Sequence, residues 1–188
     1  MRRFTILLCL VASLAYGQQQ VGEDRSVELS SEGRTIERST MLGIGSTEIL
    51  DTYLSQEKYR GTEVRFVSHT ISKRQQSRWS RLIIHQGFIA WAKTRSGNGG
   101  EMEGIYNFQY GYLYNWHLCQ KRLHIAVGAA ADTTLGVLYN THGGNNPAQA
   151  KLQFAITPTA AADYSFNIGS LPLKASYEVG IPLMGFMF

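Results

Sequence analysis

The chain has 188 residues, with 18 lysine and arginine residues against 14 aspartate and glutamate residues and a formal net charge of +4 at pH 7. Such a mild charge, without a basic patch interleaved with aromatic residues, excludes a typical nucleic-acid-binding protein. The length is enough for one domain with a sizeable core.

Residues 1–17 have the pattern of a secretory signal peptide. Arg2 and Arg3 are followed by the apolar run 4–14 and by small residues at positions 15 and 17, so we expect cleavage before Gln18. The run is too short to span a bilayer as a helix, and no later run approaches the required length of about 20 residues. The sequence therefore predicts export through the inner membrane, and any membrane role would need strands.

Removing residues 1–17 leaves Cys119 as the single cysteine, which excludes an internal disulfide. Residues 18–38 are polar with little apolar periodicity, so they predict a flexible periplasmic lead-in. Residues 39–188 are predicted to form one β-barrel domain.

Alternating apolar and polar residues in that domain predict seven β-strands. The predicted strands cover residues 39–47, 62–72, 78–94, 103–118, 122–139, 149–167 and 171–182. Several are far longer than the five or six residues usual in globular sheets. Long and short connections alternate, as in outer-membrane barrels with short periplasmic turns and long outer loops. The predicted fold class is therefore all-β, an antiparallel up-and-down transmembrane β-barrel.

The fourth predicted strand has an aromatic residue at every second position. This aromatic stripe consists of Tyr106, Phe108, Tyr110, Tyr112, Tyr114 and Trp116. The period of two predicts that the stripe faces lipid while the small and amide residues between its members face the interior. The alternative is that the stripe forms the buried face of a soluble sheet. Tyrosine prefers the membrane interface to the bilayer centre, so Tyr110 and Tyr112 fit a lipid-facing stripe poorly.

The same alternation predicts polar and ionisable side chains on the inner face of the barrel. These predicted inward residues include Glu63, Arg65, His85, His124, Lys174 and Glu178. The five histidines lack the spacing of a metal site, and we predict no catalytic, cofactor-binding or metal-binding residues. Charges lining a wet or salt-bridged interior are the preferred interpretation, and a proton-transfer or hydrolytic site is the alternative.

The strand count conflicts with barrel closure. Seven strands end on the outer side, whereas bacterial single-chain barrels close with an even number of at least eight. Gly180 and Pro182 do not suit a paired closing strand, and Pro158 suggests a bend or bulge in the sixth strand. We therefore predict either that the barrel is truncated or that one strand is missing from the count.

Three short motifs carry a family resemblance. LGIGST at 42–47, LDTYLS at 50–55 and YRG at 59–61 resemble a family of uncharacterised secreted proteins of Bacteroides-type bacteria. The resemblance runs from about residue 39 to the end, and it implies an outer-membrane β-barrel whose members continue with further strands. It implies no cofactor and supplies no binding or catalytic residues.

Together these patterns predict a non-enzymatic outer-membrane protein with a structural or passive-transport, porin-like role. The predicted partner is outer-membrane lipid; no nucleic acid is expected, and the solute is not specified. One alternative is a soluble periplasmic β-barrel or sandwich that binds an apolar ligand. Another is an outer-membrane hydrolase that uses inner-face histidines.

Overall fold

The computed structural model describes residues 28–30, 33–50, 57–120, 122–142 and 147–188. These residues form nine strands, which are β1 (Glu28–Ser30), β2 (Arg34–Ile49), β3 (Tyr59–Arg74), β4 (Trp79–Lys93), β5 (Gly100–Leu118), β6 (Leu123–Asn140), β7 (Ala148–Ile168), β8 (Leu171–Gly180) and β9 (Met184–Met187). The described part of the chain contains no helix with the length and apolar character to cross a bilayer.

All the strands belong to one sheet. Strands β1 to β8 pair in chain order, every pair is antiparallel, and β9 pairs with β7. The sheet curls into a half-barrel, so the predicted all-β up-and-down fold is confirmed, with β2 to β8 as its seven long strands. Short connections at 75–78, 119–122 and 169–170 share one end, called here the turn end, and the opposite end is the loop end.

The amino-terminal boundaries differ from the prediction. Strand β2 begins at Arg34, so the segment 34–38 is strand rather than lead-in. Strand β1 was not predicted, and it pairs with the first residues of β2. The predicted signal peptide and residues 18–27 lie outside the described residues.

The carboxyl-terminal strand continues further than predicted. Thr159 lies opposite Gly180 but Ile156 lies opposite Met184, so three residues of the edge strand face two residues of β7. This bulge forms opposite Pro158, which has no N–H to donate to the edge strand. The expectation that Gly180 and Pro182 end the pairing is wrong, because the N–H groups on both sides of Pro182 still bond to β7.

The core lies on the concave face of the half-barrel. Leu82 and Leu113 are fully buried and form a cluster with Ile84 and Ala126. Gly128 lies directly opposite Leu113, and a Cβ there would come within 1.9 Å of the Tyr112 carbonyl oxygen. A glycine at 128 therefore lets the curled strands β5 and β6 approach each other closely at the core.

Candidate functional site

The concave face encloses a cavity of about 420 Å³ whose walls come from all the long strands, β2 to β8. Its centre is apolar, with side chains such as Val67, Ile84 and Leu113. Towards the turn end the lining becomes ionisable, and it includes Glu37, His69, His124, Asp163, Lys174 and Glu178. The cavity is therefore amphipathic, with an apolar middle and a charged end.

His124 is held between two side chains at that charged end. Its Nδ1 lies 2.9 Å from Asp163 Oδ2, and its Nε2 lies 2.8 Å from Asn115 Oδ1. The Asn115 amide NH₂ donates to the Arg78 carbonyl oxygen at 2.8 Å, which fixes the amide so that its oxygen faces the imidazole. Sequence reasoning placed an amide inside at 115 but could not identify it as the partner of His124.

Ion pairs also cross the opening of the half-barrel. Lys174 on β8 lies 3.5 Å from Asp163 and 3.6 Å from Glu37 on β2. Glu178, also on β8, lies 3.1 Å from His69 on β3. Strand β8 shares no backbone pairing with β2 or β3 in the described residues, so side chains alone bring these edges of the sheet together here.

A second polar network lies on the concave face between the apolar centre of the cavity and the loop end. Asn107 donates to Asp132 and to the Thr134 hydroxyl, and Gln109 donates to the other Asp132 oxygen at 3.2 Å. Gln86 donates to Asn107 Oδ1 at 3.0 Å. This network joins β4, β5 and β6 through side chains in addition to their backbone ladder.

The loop end of the concave face holds two separate ion pairs. Arg65 pairs with Glu63 at 3.0 Å and lies over the Phe88 ring at 4.7 Å. Lys151 pairs with Glu103 at 2.6 Å. Each of these two carboxylates is thus matched by a cation.

Five of the six predicted inward residues lie on the concave face, but the structure does not bring them to one place. His124 and Lys174 share Asp163, and Glu178 lies at the same end. Glu63 and Arg65 pair with each other near the loop end. The five therefore form two groups rather than a single site.

His85 is on the other face, so its predicted inward position is wrong. Its Nδ1 lies 2.7 Å from the Tyr106 hydroxyl, and its ring contacts Phe108. The physical reason is that β4 is apolar on both faces, and Leu82 and Ile84 fill the inner core. The odd-numbered residues of β4, His85 among them, must then face outward.

The aromatic stripe lies on the convex face, with four of its six side chains exposed. Its members contact one another, since the Tyr114 and Trp116 rings are 4.7 Å apart and the Tyr110 and Tyr112 rings are 5.7 Å apart. Within the described residues, no group of three or more histidine, cysteine, aspartate or glutamate side chains has the arrangement of a metal site.

The comparisons with known proteins give one match. A family model described as "Protein of unknown function (DUF3316)" matches residues 4–188. No curated protein and no solved structure matches the chain.

The Asp163 carboxylate should contribute strongly to stability. In Asp163→Ala both His124 and Lys174 lose an acceptor, so we expect the free energy of unfolding to fall by about 2–3 kcal/mol. The matched control is Ser165→Ala, two residues along the same face, which should change it by less than about 0.5 kcal/mol. Urea unfolding followed by tryptophan fluorescence measures both, and equal effects would contradict a structural role for the Asp163 cluster.

Proposed function

The chain belongs to the DUF3316 family, and we propose that it is an outer-membrane β-barrel protein with a structural or passive-transport role. The observation that carries the proposal is the exposure of large apolar side chains on the convex face along every long strand. Leu42 is 79% exposed and Ile44 is 82% exposed, and Phe154 and Val137 are about half exposed. A contiguous surface of this kind is rare on soluble monomers.

The convex apolar residues form a continuous surface because directly opposite residues of neighbouring strands share a face. Val64 lies opposite Ile89, and Trp91 lies opposite Met102. Tyr106 lies opposite Leu135, which in turn lies opposite Leu152. Strands β2 to β7 have 15 to 21 residues each, about 50 Å or more along the strand, which is enough to cross an apolar band about 25 Å tall at a tilt near 40°.

The tyrosines that fitted a lipid-facing stripe poorly have polar partners. The hydroxyls of Tyr110 and Tyr112 lie 2.9 Å apart and can hydrogen bond to each other. Tyr112 also lies directly opposite Arg81, near the start of β4 at the turn end. Pairing the hydroxyls lowers the cost of placing these rings against acyl chains.

A membrane location requires the open edges of the sheet to be covered. In the described residues, β1 pairs with only the first part of the outer edge of β2, and the outer edge of β8 has no backbone partner. Each unsatisfied backbone group in lipid costs several kcal/mol. The proposal therefore includes further backbone pairing at these edges, from other parts of the chain or from another chain.

The interior favours the structural role over an open pore. Polar networks and ion pairs lie on both sides of the apolar centre of the concave face, and Lys174 spans the opening at the turn end. Barrels of about eight strands generally fill their interior with side chains.

Two alternatives stay as proposals. The apolar centre of the 420 Å³ cavity favours a soluble periplasmic barrel that binds an apolar ligand. An outer-membrane hydrolase using both His85 and His124 is less favoured, because the two histidines lie on opposite faces of the sheet.

Detergent dependence separates the membrane protein from the soluble ligand-binding protein. We expect the mature protein to be monodisperse in detergent micelles and to aggregate when detergent is removed, because the convex apolar face then meets water. Size-exclusion chromatography with light scattering measures this. A folded, monodisperse protein without detergent would contradict the membrane proposal.

Planar-bilayer recordings separate the structural role from passive transport. We expect no sustained conductance from the reconstituted protein, because ion pairs and amide networks obstruct the concave face on both sides of its apolar cavity. A large, steady conductance would contradict the structural role and support a porin-like one.

Neighbouring substitutions on β7 test which face meets lipid. Phe154→Arg places a charge on the convex face, so we expect folding into phosphatidylcholine vesicles to weaken by about 2–4 kcal/mol. Gln153→Arg places the same charge on the opposite face and should have a much smaller effect. The folded fraction is measured by the heat-modifiable mobility of barrels in SDS gels. A larger loss of folded protein in Gln153→Arg than in Phe154→Arg would contradict the assignment of the convex face to lipid.

A further inference from the structure

An unusual group of arginines lies on the convex face at the turn end of β2, β3 and β4. Arg34 lies directly opposite Arg74, and Arg81 lies opposite Ser72, two residues along β3 from Arg74. Directly opposite residues on one face have Cβ atoms about 5 Å apart, and diagonal neighbours lie about 7–8 Å apart. We call Arg34, Arg74 and Arg81 the arginine patch.

Strands β2 to β8 supply no anion beside the patch. None of its three guanidiniums forms an ion pair there, and Arg81 Nε is buried without a hydrogen-bond partner. Among the carboxylates of β2 to β8, Glu48 is the one on the convex side, and it pairs with Lys58 and Arg60 at the loop end. Three neighbouring positive charges repel one another, and a bound anion relieves that repulsion.

Aromatic side chains of β4 and β5 lie on the convex face beside the patch. Tyr112 lies opposite Arg81, and both Arg34 and Arg81 are close enough to interact electrostatically with its hydroxyl. Trp79 lies opposite Tyr114, whose hydroxyl accepts a hydrogen bond from Arg78. Tryptophan and tyrosine beside arginine are typical of the level at which lipid headgroups meet acyl chains.

The arginine patch also lies close to the strand ends, at the depth of the lipid headgroups in a barrel wall. Arg81 is the third residue of β4, and Arg34 and Arg74 are the terminal residues of β2 and β3 at the turn end. At about 3.3 Å per residue, all three lie within roughly 7 Å of a strand end, measured along the strand. In a barrel wall this is the interface, where an arginine costs little, rather than the bilayer centre.

From these observations we propose that the arginine patch binds the phosphate of an anionic phospholipid whose acyl chains lie along the aromatic stripe. The proposal rests on the membrane location proposed above. Guanidinium groups donate paired hydrogen bonds to phosphate oxygens, and three of them lie together in the patch. Free phosphate has the same oxygens but no acyl chains, so the aromatic surroundings favour the lipid source.

The test compares a triple variant with a charge-matched control. Arg34→Gln, Arg74→Gln and Arg81→Gln together remove the patch, whereas Arg60→Gln, Lys93→Gln and Arg95→Gln remove the same charge at the loop end. Each protein in detergent is titrated with short-chain phosphatidylglycerol, with short-chain phosphatidylcholine and with inorganic phosphate, and native mass spectrometry counts the bound molecules.

We expect the triple variant to bind phosphatidylglycerol at least about tenfold more weakly than the natural sequence, since each arginine near an anionic headgroup contributes to affinity. The control should change affinity less than twofold, and phosphatidylcholine should bind more weakly than phosphatidylglycerol. Equal affinity in the triple variant and the natural sequence would overturn the proposal. If inorganic phosphate binds as tightly as phosphatidylglycerol, the claim that the bound phosphate belongs to a lipid is overturned.

Vesicle insertion separates failure of this proposal from failure of the membrane location. All three proteins are folded into pure phosphatidylcholine vesicles and scored by heat-modifiable mobility. Insertion of all three together with loss of phosphatidylglycerol binding in the triple variant alone supports the patch. Insertion without any preference for phosphatidylglycerol overturns the patch alone, and failure of the natural sequence to insert overturns the membrane location.

Discussion

The structure depends on the backbone register between antiparallel strands. In a strand the side-chain period is two, so a slip of one residue would turn every side chain to the opposite face. The register from β2 to β7 is continuous, with one partner residue per residue. This continuity keeps the aromatic stripe on the convex face while Asn107, Gln109 and Asn115 stay on the concave face.

The concave face reinforces this register through polar contacts. Asp163 and Asn115 hold the His124 ring in one orientation, and they lie on the two strands that flank β6. Lys174 then links Asp163 to Glu37 across the opening of the half-barrel. A register slip would leave these buried or half-buried charges without partners, which is costly. The ion pairs of the concave face and the backbone register therefore both stabilise the half-barrel.

Much of the fold could be predicted from the sequence because its strands alternate so regularly. Strand β5 has one clearly apolar and one clearly polar face, and both faces were predicted. Strand β4 has apolar residues on both faces, so the sequence could not show that Leu82 and Ile84 face inward and His85 outward. Pro158 predicted a bend or bulge in its own strand, but the extra residue lies on the edge strand opposite it, and that position depends on the residue-by-residue register between neighbouring strands. The partners of His124 and the clustering of arginines from β2, β3 and β4 depend on it as well.

The central claim is that the convex face meets lipid and the concave face does not. It can be tested by placing single spin-labelled cysteines at each position from 106 to 116, in a Cys119→Ser background reconstituted in vesicles. Electron paramagnetic resonance then measures the accessibility of each label to oxygen, which concentrates in lipid, and to a water-soluble nickel chelate. The account predicts that oxygen accessibility peaks at every even position and falls at every odd one. High nickel accessibility at Tyr106, Tyr110 and Tyr112, or the absence of a two-residue period, would contradict it.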